Sequence, residues 1–205
     1  MERDYLSGKE NNPTKYGEYL SKLTLRLQRS GFNVLSDRHS LLNAIMSQIN
    51  EYYVEEVRKR IETYGIDLAA LHKGFWPIDL TVCTSALAPQ SMTIDYLRNY
   101  RENMFLITEE YAKAMIDGIG RSRLFYAILA STSFSDEVIE YVRDFDPVKD
   151  RREFSPSRAS TYANIIIPVL VDLDSSQVFY FQNKHFIGRM YYSAFRKDVN
   201  DYFLF

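Results

Sequence analysis

Apolar residues recur at spacings of three and four through the first half of the chain, the period of helices with one buried face. Tyr16, Leu20, Leu23 and Leu27 form the first stripe. Asn12-Pro13-Thr14 precedes it, with Asn suited to a cap and Pro to the first helical position, and Gly31 ends it. A longer stripe, Leu42, Ile45, Ile49, Tyr53, Val57, Ile61 and Tyr64, follows Ser36 or Asp37 as cap and stops at Gly65. It predicts one helix about 40 Å long. Ile66–Lys73 reads as a short helical turn, broken by Gly74-Phe75-Trp76-Pro77. Ile78–Thr84 reads as a strand and Leu87–Met92 as a loop. Thr93–Asn103 and Thr108–Asp117 read as two helices, and Ser122–Ala130 as a further helical segment after Gly118-Ile119-Gly120. Ser135-Asp136-Glu137-Val138 opens a short helix that runs through Phe145.

The texture then changes. Arg143–Arg158 holds nine charged residues in sixteen, nearly balanced in sign, with Pro147 and Pro156, and reads as a solvated connection. Beyond it, residues 159–205 carry 11 of the 30 aromatics and no Glu. Ile165–Leu173 and Val178–Gln182, either side of Asp174-Ser175-Ser176-Gln177, predict a hairpin. Pro168 makes its first strand an edge strand or a bulged one. Phe186–Phe195 reads as a third strand or a helix. The fold class expected is therefore α+β: a mainly helical N-terminal body with a C-terminal two- or three-stranded antiparallel sheet. The expected divisions are a body at 1–146, a charged linker at 147–158 and a β-rich segment at 159–205, with one domain overall as the alternative.

Composition narrows the function classes. The 205 residues, 46% apolar and 25% charged, are enough to bury a full core without staples. A formal charge of −2 gives no reason to expect a general polyanion binder, although a local basic patch is compatible with it. One cysteine forbids an internal disulfide and a cysteine-rich zinc site. The charged start Met1-Glu2-Arg3-Asp4-Tyr5 is unlike a signal peptide. Ala163–Leu173, eleven residues, falls short of the roughly 20 that span a bilayer. The expectation is a soluble chain in the cytoplasm or a virion, with no membrane partner.

Candidate chemistry is sparse. Asp172 or Asp174 followed by Gln182-Asn183-Lys184 resembles the metal-binding core of the PD-(D/E)xK nucleases, in which carboxylates hold Mg²⁺ and a Lys faces the attacked phosphate. With Ser175-Ser176 as the tip, Asp174 would face Gln177 and Asp172 would face Phe179. Lys184 would then lie about 16 Å further on and on the opposite face, so the polar ends of a hairpin are the better account. Gly118-Ile119-Gly120-Arg121-Ser122-Arg123 can form a phosphate nest with Arg121 and Arg123 as candidate contacts, yet it lacks the Walker ending, and a helix-to-helix turn is the better account. His39, His72 and His185 have no metal-ligand spacing, and Cys83 stands in no motif. Lys149-Asp150-Arg151-Arg152 reads as surface ion pairing. No metal or cofactor is expected.

The aromatics weigh most. Adjacent residues on a strand point to opposite faces, so Phe179-Tyr180-Phe181 would put rings on both sides of a small sheet. Tyr191-Tyr192 and the tail Tyr202-Phe203-Leu204-Phe205 add more apolar surface. These eight aromatics are the expected contacts of a structural protein in a larger assembly of protein subunits, of the viral or phage connector or tail-completion type. The alternative is a protein that binds or processes nucleic acid or nucleotide, with Arg121, Arg123, Arg151 and Arg152 on phosphate.

Overall fold

The computed structural model describes residues 13–46, 51–75, 78–113, 122–157, 160–182 and 189–204. The described residues form three layers, helices on both faces of one mixed sheet. The strands are β1 (Asn33–Leu35), β2 (Ile66–Phe75), β3 (Ile78–Leu87), β4 (Ser122–Ser131), β5 (Arg152–Ser157), β6 (Ser160–Asp172) and β7 (Gln177–Phe179). They lie in the order β1-β2-β3-β4-β6-β5, with β7 also on β6. β4 runs parallel to β3 and to β6, and the other pairings are antiparallel. The helices are α1 (Pro13–Arg29), α2 (Arg38–Met46), α3 (Glu51–Tyr64), α4 (Ile94–Lys113), α5 (Asp136–Asp144) and α6 (Arg189–Asp198), with a π-helical turn at Val199–Phe203.

The expected helical body with a small terminal sheet is overturned. Strands begin at residue 33 and the sheet runs through the chain. Ser122–Ala130, expected to be helical, is the central strand β4, and every one of its ten residues is buried. Alternate residues serve opposite faces. Phe125, Ala127 and Leu129 pack under α2 to α5, while Leu124, Tyr126, Ile128 and Ala130 pack under α1 and α6. A strand covered on both sides needs no polar alternation, so its sequence is a continuous apolar run.

Ile66–Lys73 is likewise a strand, with Leu68 and Ala70 turned to one core and Leu71 to the other. The single 40 Å helix is two helices, α2 and α3, and Leu41 is buried where Leu42 is only half-buried. Thr93–Asn103 and Thr108–Asp117 join in one helix, α4, that reaches Lys113. Phe186–Phe195 contributes α6 where it is described.

Caps explain the boundaries that the sequence does mark. Asp37 Oδ1 accepts from the Ser40 N–H (2.8 Å) at the start of α2. Ser135 caps α5, and Gly31 and Gly65 take positive φ where α1 and α3 end. The hairpin of β6 and β7 pairs Asp172 with Gln177 and Leu170 with Phe179, two residues out of the expected register. The turn is the four residues Leu173–Ser176, with Ser176 at φ 57°.

β5 and β7 share the outer edge of β6, one on Ser160–Asn164 and the other on Leu170–Asp172. Pro168 falls between them, so its missing N–H removes no bond from that edge. β5 itself lies within the charged stretch read as a connection, and Val148 from that stretch is buried in the core.

Ile128 and Leu129 are adjacent and fully buried on opposite faces of β4. Ile128→Ala and Leu129→Ala are each expected to cost about 2–5 kcal/mol in urea unfolding. A helix with one wet face would show that loss at one of the two positions only.

Candidate functional site

Polar side chains buried in an otherwise apolar core mark the places where folding has accepted a cost. Two of them, Arg123 and Asn164, meet near the start of β4 and β6, on the face covered by α4. The register sets Arg123 of β4 beside Asn164 of β6, and Asn164 beside Arg152 of β5. Paired residues share a face, so the three side chains form a row across adjacent strands about 4.8 Å apart. Arg123 is 2% exposed and Asn164 1%.

Helix α4 roofs this row. The Phe105 ring stands edge-on to Phe125 of β4 (5.4 Å) and carries the Arg152 guanidinium (4.8 Å). Glu102 accepts from Arg101 Nη2 through Oε1 (3.1 Å) and from Arg152 Nη2 through Oε2. Arg101 rests on the Phe145 ring (4.3 Å). Its Nη1 lies 2.8 Å from Asp150 Oδ2, off the hydrogen-bonding line, so that contact is an ion pair by proximity alone.

The cluster runs from solvent to the interior. The side chains of Arg152 and Glu102 are 37% and 36% exposed, that of Arg101 is 10%, and Asn164, beside Arg152 in the register, is buried. Neither the oxygen nor the nitrogen of the Asn164 amide has a hydrogen-bond partner, and the Arg101 Nε–H has no acceptor. Among the described residues the ion pairs of the cluster join two guanidiniums, Arg101 and Arg152, to two carboxylates, Glu102 and Asp150, and both guanidiniums converge on Glu102. Planar donors converging from two sides on one carboxylate suit an oxyanion.

Comparison with protein-family models, curated proteins and solved structures finds no match. The chemistry of the chain's own residues therefore carries the assignment.

Of the four arginines named as phosphate contacts, the structure brings Arg123 and Arg152 into this row. Arg151 instead donates to the Val148 carbonyl (3.3 Å), and Arg121 lies outside the described residues. Arg101, Glu102 and Asn164 escaped the sequence reading. The signal for Asn164 was present: a lone amide near the head of the apolar run Ala163–Leu173. Arg101 and Glu102 look like ordinary charges on a helix surface.

Of the nuclease-like residues, the two aspartates serve the turn and a surface ion pair. Asp172 Oδ1 accepts from the Asp174 and Ser175 N–H groups (both 2.9 Å), so it shapes the turn, and Asp174 pairs with Lys15 (2.8 Å). Asn183, Lys184 and His185 lie outside the described residues. Among the described residues no group of His, Cys, Asp or Glu could hold a metal ion, and no helix is long and apolar enough to cross a membrane. His39 contacts Asn43 on α2, and His72 Nδ1 donates to the Gly31 carbonyl (3.2 Å).

The aromatics expected to meet other subunits largely pack within their own chain. Phe179, Phe181, Tyr192 and Phe203 are buried, while Tyr180, Tyr191 and Tyr202 are half-buried. Phe203 stands edge-on to Tyr126 (5.1 Å) and Tyr202 edge-on to Phe32 (5.2 Å). Tyr192 donates to Asp146 (2.9 Å) and stands beside Phe181 (5.5 Å). Phe205 lies outside the described residues.

An open depression of about 390 Å³ lies between the first turns of α4 and α5. Asp95 and Glu137 line it, and its Arg98 already contacts Asp95 (3.3 Å) and the Tyr141 hydroxyl (3.2 Å). Its carboxylates oppose an anion.

Under the other helical layer, Asp198 accepts from the Tyr126 hydroxyl (2.6 Å). Burial pushes its carboxyl from 3.8 up to about 6, with Asp201 adding to the rise and Tyr126, Lys197 and His72 opposing it. A folded pKa above the unfolded one means that stability is fullest below about 3.8 and declines as pH rises toward 6. At pH 7 the charged form costs the fold about 3 kcal/mol. Asp198→Asn keeps the acceptor for Tyr126 and is expected to recover much of that at pH 7, with little gain at pH 4. Urea unfolding at the two pH values measures the difference, and equal gains at both would contradict the burial argument.

Proposed function

We propose that the protein binds a small phosphate-bearing ligand at the junction of α4, β4, β6 and β5. The observation that supports this most is the Asn164 amide, 1% exposed with both ends lacking a partner, set in register between Arg123 and Arg152. An unmet polar group in a dry core costs about 1–3 kcal/mol, which a ligand oxygen and hydroxyl would offset on binding. The guanidiniums of Arg101 and Arg152 supply charge and planar donors for the phosphate. Both are held by aromatic rings, so little side-chain freedom is lost when they engage.

The depth of the site favours a small molecule over the continuous backbone of a duplex. The reading develops the phosphate-binding alternative drawn from the sequence. The assembly reading rested on an aromatic surface, and most of those rings are spent on the chain's own core. Large exposed hydrophobics among the described residues are the scattered Leu25, Leu106 and Leu204.

Thermal unfolding with inorganic phosphate, with adenosine 5′-monophosphate and with a blunt duplex lacking terminal phosphates tests the proposal. The first two are expected to raise the melting temperature with concentration and the duplex is not. Asn164→Leu fills the same space without polar atoms. It is expected to stabilise the ligand-free protein by about 1–3 kcal/mol and to abolish the phosphate response. An undiminished response in that variant, or a response to the duplex alone, overturns the proposal.

A further inference from the structure

We propose that Glu102 is a built-in occupant of this anion site, an internal carboxylate that an incoming phosphate must displace. The inference rests on the phosphate-binding reading and adds its regulation. Both carboxylate oxygens are used: Oε1 takes a hydrogen bond from Arg101 and Oε2 one from Arg152. Two oxygens of one anion bridging two guanidiniums is the geometry that a phosphate would adopt there. The side chain stands at the exposed end of the cluster, on Arg152, whose neighbour in the register is the buried and unpartnered Asn164.

The two guanidiniums do not depend on Glu102 for their positions. Phe105 holds Arg152 at 4.8 Å, and Phe145 and Asp150 hold Arg101 at 4.3 Å and 2.8 Å. When Glu102 swings out to water, the pair stays in place with its donors bare. A side-chain rotation about single bonds suffices, since α4 need not move. A brace behaves differently: where a carboxylate merely holds arginines in place, its loss disorders them and weakens binding.

The experiment measures phosphate affinity by calorimetry in the full chain and in Glu102→Gln and Glu102→Ala. Both variants are expected to bind inorganic phosphate about tenfold more tightly than the original, the effect of removing a competitor worth about 1.4 kcal/mol. Their ligand-free melting temperatures are expected to fall, because two charge-assisted bonds are lost. Higher affinity with lower stability is a combination that a brace cannot give. Weaker or unchanged binding in both variants overturns the inference and leaves the anion site standing. Absence of phosphate binding in the original and in both variants, each confirmed folded by circular dichroism, overturns the site itself.

Discussion

Water reaches neither face of β4, and this one constraint organises the molecule. A strand so placed must hand every backbone group to a neighbouring strand and find interior company for every side chain. Its two flanks, β3 and β6, run parallel to it over most of their length and satisfy the first demand. Helices on both sides satisfy the second. Where polar side chains do enter, they sit at its ends, Ser122 and Arg123 at one and Ser131 at the other. Ser122 is within 2.6 Å of the Tyr191 hydroxyl on one face, while Arg123 turns to the other and joins Asn164. The candidate site is thus the place where a double-covered sheet stops being purely apolar.

The same constraint explains what the sequence displayed and what it concealed. α1 and α5 were legible because each has one wet face and marked ends: Tyr16, Leu23 and Leu27 fall on one side of α1, and Ser135 caps α5. β4 was not legible. Leu124-Phe125-Tyr126-Ala127-Ile128-Leu129-Ala130 has no wet face to create a period, and Leu and Ala favour helices as readily as strands when alone. β2 misled in another way, since Ile66, Ala69 and Ala70 stand at helical spacing although a bulge between Ile66 and Leu68 shifts its pairing.

Site residues were half legible for a related reason. Arg123 and Arg152 stood out because each belongs to an arginine-rich stretch, Arg121-Ser122-Arg123 and Arg151-Arg152. Nothing local says that strands forty residues apart lie side by side, so the sequence did not show that Asn164 falls between them. Arg101 and Glu102 are neighbours on a helix whose outer face carries other charges, and only the roofing of α4 over β6 distinguishes them. The charged stretch 143–158 has the composition of a solvated connection, yet it supplies Asp150 and Arg152 to the site. Charge density in a sequence reports exposure only when the charges have no partners on other elements.

The face of β4 that carries Tyr126 is closed by two pieces far apart in the chain: α1, which precedes every strand, and α6 with its π turn, which follows them all. A ribosome makes the chain in that order. All seven strands are therefore complete while half of this face still lacks its cover, and Leu124, Tyr126 and Ile167 stay bare until Phe195 and Phe203 have been added and emerged. During that interval the nascent sheet exposes apolar surface of the kind that promotes aggregation, and the finished chain hides it.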